Sequence, residues 1–315
     1  MRIASFNVQN LRLRRQNGLV HLDGARDSDV AVDVGPDAMA LDGADRQLTA
    51  AVLRDADADI VALQEVFDQA TLDWFHDHVL LPLGVRPYPY RVCLPGNDGR
   101  GRDVALISRR PLDEVTGHAA LTPQALGLTV DNVPGRGVAA DRPIFRRDCL
   151  MVTTGGVTLF LCHFKAPYPD EAGSWAVRRL EALAVRRLIE RRFPDPTVGH
   201  WLVVGDFNEP ARSPGGHERA VAPLLAPFAV DLLGRLPEDE RWTYFDLDSG
   251  LYSRPDALLA SPQLARDWPM ARPLVLREGL GRETGPRVGA RLPEVGEHRP
   301  HASDHAALVI DFRGL

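Results

Sequence analysis

Trp201-Leu202-Val203-Val204-Gly205-Asp206-Phe207-Asn208 is an aliphatic run that ends on a glycine, a carboxylate and an amide. Short and free of charge until Asp206, it reads as a fully buried strand that delivers polar side chains at its end. The glycine lets the backbone turn, and Asp206 and Asn208, two positions apart, face the same side. A turn that uses Asp and Asn for local hydrogen bonds would give the same letters, so the tetrapeptide takes its meaning from its company. Upstream, Trp175, Leu180, Leu183, Ala184, Arg187, Leu188 and Phe193 follow helical spacing from Ser174 to Arg192, and Pro194 stops the helix. Before that helix, Cys149 to Thr153 and Val157 to Cys162 read as two strands joined by a Thr-Gly-Gly hairpin turn.

The same grammar recurs near the start of the chain. Arg2-Ile-Ala-Ser-Phe-Asn7 and Asp59-Ile-Val-Ala-Leu-Gln-Glu65 are strand-like runs that end on an amide and a carboxylate. Between them, Leu48, Ala51, Val52 and Asp55 follow helical spacing, with Asp45 placed to cap the helix. Strand, helix, strand therefore occurs twice, over roughly 1–110 and 148–315. Two further site-like motifs, Cys162-His163-Phe164-Lys165 and Ser303-Asp304-His305, border apolar runs, as does Arg254-Pro255-Asp256. Two mixed sheets packed face to face with helices outside would satisfy this order and would set all the motifs along one rim. Because side chains from Asn7 to His305 must meet in one site, residues 1–315 are expected to form a single domain.

Elsewhere the reading is coarser. Residues 11–44 are expected to be a long loop or insertion, and residues 70–80 a helix. Tyr90 to Leu94 and Asp103 to Ser108 are expected strands. Residues 113–146 would hold a broken strand and a loop bearing Arg136, Arg142, Arg146 and Arg147, and 262–300 would be mostly loop. Asp103 is read as structural, and His298 and His301 as members of a solvated loop.

Composition narrows the function classes. A net charge of −6 argues against avid, nonspecific binding to long duplexes, although a local arginine cluster can still hold phosphates. Cys93, Cys149 and Cys162 are odd in number and lack C-x-x-C spacing, so free buried thiols are expected, with neither a disulfide framework nor a zinc site. No apolar run reaches the roughly 18 residues of a membrane span, and no signal-peptide pattern precedes the first strand, so a cytoplasmic protein is expected.

The motif chemistry points to phosphate. Acidic oxygen donors suit a hard divalent cation such as Mg²⁺, and histidine, lysine and arginine suit a phosphate anion. Glu65 ends a buried strand and needs either a cation or a salt-bridge partner. Alternation sets His163 and Lys165 on one face, where they would meet phosphate oxygens, and Asp256 would orient His305 unless the two belong to unrelated turns. Arg147, just before the Cys149 strand, is the best-placed arginine for a substrate phosphate.

In this order, and with Ile107-Ser108-Arg109-Arg110-Pro111, the motifs resemble the endonuclease/exonuclease/phosphatase superfamily, the deoxyribonuclease I-like group, over nearly the whole chain. The resemblance implies an α/β (α+β) fold, a four-layer αββα sandwich of two packed mixed β-sheets flanked by helices. It implies one site dependent on Mg²⁺ or Mn²⁺, with Asn7, Glu65 and Asp304 as metal ligands. Asp206 and Asn208 would position or activate the attacking water. His163 and His305, the latter oriented by Asp256, would contact the scissile phosphate, with Arg147 and Lys165 as auxiliary phosphate binders. The implied activity is hydrolysis of a phosphodiester, with a nuclease acting on DNA or RNA expected first. A small-molecule or lipid-headgroup phosphatase or phosphodiesterase is the alternative. Cys162-His163-Phe164-Lys165 departs from the tyrosine-containing motif of the apurinic-site repair branch, and the oligomeric state is left open.

Overall fold

The computed structural model describes residues 1–16, 18–26, 36–129 and 139–315. The first half runs β1 (Arg2–Leu11), β2 (Leu13–Gln16), β3 (Leu19–Leu22), α1 (Pro36–Ala56), β4 (Ile60–Val66), α2 (Gln69–Phe75), β5 (Tyr90–Cys93) and β6 (Asp103–Ser108). It is followed by β7 (Glu114–Thr116), α3 (Pro123–Leu126), β8 (Cys149–Thr154), β9 (Val157–His163), α4 (Glu171–Arg192) and β10 (Trp201–Asp206). The remainder comprises β11 (Val230–Asp231), β12 (Tyr244–Asp246), β13 (Leu251–Ser253), β14 (Asp256–Ala260), α5 (Pro262–Asp267), β15 (Leu274–Leu276) and β16 (Ala307–Asp311).

Two six-stranded sheets dominate, ordered β15-β16-β1-β4-β6-β5 and β11-β14-β10-β9-β8-β7. Each has a parallel pair at its centre, β1 with β4 and β9 with β10, flanked by antiparallel neighbours. A parallel pair needs a crossover, and α1 and α4 provide the two. The expected double pattern is thus a repeated topology, and the sheets stack into the expected sandwich.

Alternation along each strand assigns the layers. Ile3, Ile60, Ala62, Leu159, Leu161, Leu202, Val204 and Leu258 pack together between the sheets. Ala4, Phe6, Val61 and Leu63 face outward onto Leu48, Val52 and Leu72 of α1 and α2. Phe160, Trp201 and Val203 pack against Leu180, Ala184 and Leu188 of α4. Central strands covered on both faces explain the near-continuous apolar runs in the sequence.

Several expectations change. Residues 11–44 are not one long loop, because β1 continues to Leu11, β2 and β3 form a hairpin, and α1 already begins at Pro36. Asp45 therefore caps nothing and is fully buried in mid-helix. The hairpin between β8 and β9 turns on Gly155 and Gly156, both at positive φ, as the Thr-Gly-Gly reading requires. All three cysteines are free and buried, with Cys149 and Cys162 paired across β8 and β9. Arg136 lies outside the described residues. Among those described, no helix is long and apolar enough to cross a membrane.

Gly205 is the tightest backbone point of the frame. Its φ is 130°, and a Cβ built there would lie 1.9 Å from the Cys162 carbonyl oxygen. Gly205→Ala is therefore expected to lower stability by about 2 kcal/mol or more, through backbone strain and forced separation of β9 from β10. Urea denaturation measures this, and an unshifted midpoint would mean that the strands tolerate the methyl group.

Candidate active site

The parity that fills the core also aims the site. Asn7 shares its face of β1 with Ile3, His163 that of β9 with Leu161, Asp206 that of β10 with Val204, and Asp256 that of β14 with Leu258. All four side chains point into the space between the sheets, at the rim where the parallel strands end. Glu65 has the wrong parity, since Val61 and Leu63 face the helices. A register break between Gln64 and Val66, with Glu65 at φ 66°, corrects its aim. Such a conformation is costly for a non-glycine residue, and Gln9, Asn10 and Asn208 share it.

Contacts across the gap join the two sheets. Asn7 Nδ2 donates to Asp206 Oδ2 at 3.1 Å, while Asn7 Oδ1 accepts from the Gln9 amide at 3.0 Å. Asn208 donates to the same aspartate twice, from its amide at 2.8 Å and from Nδ2 at 3.2 Å, so it orients Asp206. Glu65 Oε2 accepts from the Asn10 amide at 2.9 Å, and its Oε1 lies 3.6 Å from Arg102. His163 Nε2 sits 3.5 Å from Asp206 and 3.9 Å from Glu65. His305 Nδ1 meets Asp256 Oδ2 at 2.9 Å, which Thr243 Oγ1 also engages at 2.6 Å, and its Nε2 lies 3.8 Å from Asp206.

The two imidazoles are driven in opposite directions. Burial, helped by Arg147, His305 and Arg102, holds the His163 pKa well below 6.5 and keeps the ring neutral. Burial pushes His305 the same way, but the Asp256, Asp304 and Asp206 carboxylates outweigh it and raise the pKa well above 6.5. Asp206 is itself pushed up to about 6, chiefly by burial, with Asp256 adding to the rise and His305 opposing it. A neutral donor, a cation and a carboxylate that ionises near neutral pH thus share one space.

Oxygen donors suited to a divalent metal are present. Glu65, Asn7 and Asp304 supply two carboxylates and an amide, the donor chemistry of a Mg²⁺ or Mn²⁺ site. Ser303 Oγ donates to the Asn7 carbonyl at 2.7 Å and the Asp304 amide donates to Gln9 Oε1 at 3.1 Å, which brings the two distant segments together. Ligand atoms of Asp206, Asp256 and His305 also lie within 4.8 Å of one another. In that trio Asp256 Oδ2 is already engaged by His305 Nδ1 and Thr243, whereas His305 Nε2 and Asp206 stand 3.8 Å apart.

A cavity of about 610 Å³ opens over these groups, lined by Glu65, His163, Asp206, Asn208, Asp304 and His305, and walled by Arg100, Arg102 and Arg147. Arg147 reaches it as expected, although its guanidinium also donates to the Phe164 carbonyl at 2.9 Å and lies 3.3 Å from Asp98. Lys165 does not join them. β9 ends at His163, so the alternation that would have paired the two stops, and the ammonium binds the carbonyls of Ala166 and Tyr168. Arg142 and Arg146 line a separate small pocket beside Val177 and Leu180. His298 is exposed as expected, whereas His301 is buried against Gln9 and the Ala25 carbonyl.

Arg102, Thr243 and Gln9 were not foreseen as site residues. Arg102 stands beside Asp103 at the start of β6, and that position next to a buried strand is the one signal available. Thr243 and Gln9 act through contacts that no local pattern announces.

A family model described as Endonuclease/Exonuclease/phosphatase family matches residues 4–305. No curated protein matches the sequence. Among solved structures, an endonuclease/exonuclease/phosphatase family protein from Bacteroides thetaiotaomicron is 17% identical with a TM-score of 0.58, over 98% of this chain and 93% of that one. An AP endonuclease from Archaeoglobus fulgidus is 16% identical at TM-score 0.55, over 99% of both chains. A 3′-5′ exonuclease from Neisseria meningitidis is 18% identical at TM-score 0.53, again over 99% of both. At these identities the likeness is one of fold.

The Asp256–His305 contact makes a prediction for the metal-free protein. Asp256→Asn removes the nearest anion from His305, so its imidazole should lose its proton at a lower pH than in the wild type. Histidine NMR titration follows this directly, and an unchanged titration would mean that Asp256 does not hold the charge.

Proposed function

The chain belongs to the endonuclease/exonuclease/phosphatase family, and from that premise we propose that it hydrolyses a phosphodiester by in-line attack of water, with Mg²⁺ or Mn²⁺ as cofactor. The observation that carries the reading is the meeting, in one buried rim, of Asp206 with His163 and with a His305 bound to Asp256. Asn7, Glu65 and Asp304 would hold the cation, which when bound polarises a phosphoryl oxygen and offsets developing charge.

The chain's own groups account for the remainder. Asp206, fixed by Asn7 and Asn208 and ionising near neutral pH, is suited to take a proton from the attacking water. His305 is held charged by Asp256 and offers Nε2 to the phosphate oxygens, and neutral His163 is a second preorganised donor. Arg147 and Arg102 place positive charge on the cavity wall, where a non-bridging oxygen or a neighbouring phosphate would sit. Lys165 is left with no part in this scheme.

A nuclease is the first reading of substrate class, supported by Arg100, Arg102 and Arg147 along the cavity and by the AP endonuclease and the 3′-5′ exonuclease among the structural neighbours. A small-molecule or lipid-headgroup phosphoesterase is favoured instead by Asp246 and Asp248 on the same wall, which would repel a polyanion.

With bis(p-nitrophenyl) phosphate, turnover should vanish in a chelator and return with Mg²⁺ or Mn²⁺. Asp206→Ala and His305→Ala should each lower kcat by roughly 10² to 10³. A variant of either residue with full metal-dependent activity would refute the assignment. On DNA or RNA, a nuclease would lose affinity steeply as salt rises. Efficient turnover of a simple phosphoester that ignores salt would select the second reading.

A further inference from the structure

We propose that Arg46 and Gln9 are positioning residues that set Asn7 and Asp304 in register for cation binding, an inference that rests on the function just proposed. The starting point is an anomaly on α1. Asp42, Asp45, Arg46 and Thr49 fall on one helical face, and each is at most 3% exposed. A helix lying on a sheet is expected to bury apolar side chains, and a polar stripe in that place is costly unless every group finds a partner.

Partners are found, and they belong to three segments, 8–9, 23–25 and 299–302. Arg46 donates to four carbonyls: Val8 at 2.6 Å, Gln9 at 2.7 Å, Asp23 at 2.6 Å and Gly24 at 2.7 Å. Asp45 accepts from the amides of Ala25 and His301, each at 2.9 Å, and from Arg299 Nε at 2.7 Å. Thr49 Oγ1 donates to the Ala302 carbonyl at 2.7 Å, and Arg299 also binds Asp42 at 2.6 Å. One helix face therefore grips the end of β1 and the 299–302 segment at once.

Gln9 carries that grip into the site. Its amide fixes Asn7 Oδ1, and its Oε1 accepts from the Asp304 amide and from His301 Nε2 at 3.0 Å. Its backbone sits at φ 46°, a conformation that needs outside support, and Arg46 binds its carbonyl. Asn7 and Asp304, almost three hundred positions apart, are thus joined by a glutamine held by Arg46, beside the Ser303–Asn7 hydrogen bond. Neither Gln9 nor Arg46 lines the cavity over the two histidines, so the effect passes through the ligands they orient.

Gln9→Leu keeps the size and removes the acceptor. It should weaken Mn²⁺ binding, read by electron paramagnetic resonance, by about tenfold. It should also lower kcat on bis(p-nitrophenyl) phosphate while leaving KM little changed. Gln9→Glu, which keeps an Oε acceptor, should recover most of the Mn²⁺ affinity, and Arg46→Met should reproduce the loss wherever it folds. Should Arg46→Met not fold, Gln9→Leu decides. Wild-type Mn²⁺ affinity in Gln9→Leu overturns the inference, as does a loss that merely tracks the unfolded fraction seen by circular dichroism. Absence of Mn²⁺ binding by the wild type overturns the functional reading along with it.

Discussion

Three buried carboxylates, at Glu65, Asp206 and Asp256, are the constraint around which the rim is built. Removed from water, each must find donors or cations, and each lacks an apolar alternative. Asp256 is met by His305 and Thr243, Asp206 by Asn7 and Asn208, and Glu65 by the Asn10 amide with Arg102 nearby. The donors come from both sheets. Satisfying these acids therefore closes the sandwich at the same place where it assembles the chemistry, so stability of the rim and competence of the site depend on the same bonds.

The frame beneath is close to symmetric and the chemistry on it is not. Each sheet centres on a parallel pair, and the first residues of β6 and β14 are both aspartates, Asp103 and Asp256. Asp256 faces an imidazole. Asp103, near Arg147 and Asp98, is pushed up to about 6 by burial. The repeated topology thus supplies equivalent positions, and different side chains are set against them.

Much of this was readable in advance, for identifiable reasons. Strands covered on both faces leave uninterrupted aliphatic runs, so Trp201–Asp206 and Ile60–Val66 announced themselves, and strict alternation then fixed the facing of Asp206, His163 and Asn7. Glu65, which the sequence places in the site, lines the cavity by way of a bulge. The reading failed where a strand ends early, since Lys165 lies two residues beyond β9 and misses the site. It failed again on α1, where Asp45 looked like a cap because a buried polar stripe resembles a solvent-facing one in sequence. Only long-range partners distinguish the two, and those partners lie in β1 and near residue 301.

The placement of β1 in its sheet has a consequence for biosynthesis. It lies between β4 and β16, and its antiparallel partner comes from residues 307–311. A chain emerging from the ribosome can pair β1 with β4 early, yet one edge of β1 stays open until residues 307–311 have been translated. Such delayed, non-local closure is intrinsically slow and exposes an adhesive strand edge meanwhile. Nascent chains would be expected to need shielding by chaperones, and because Asp304 and His305 immediately precede that late strand, a product truncated before them lacks one side of the rim.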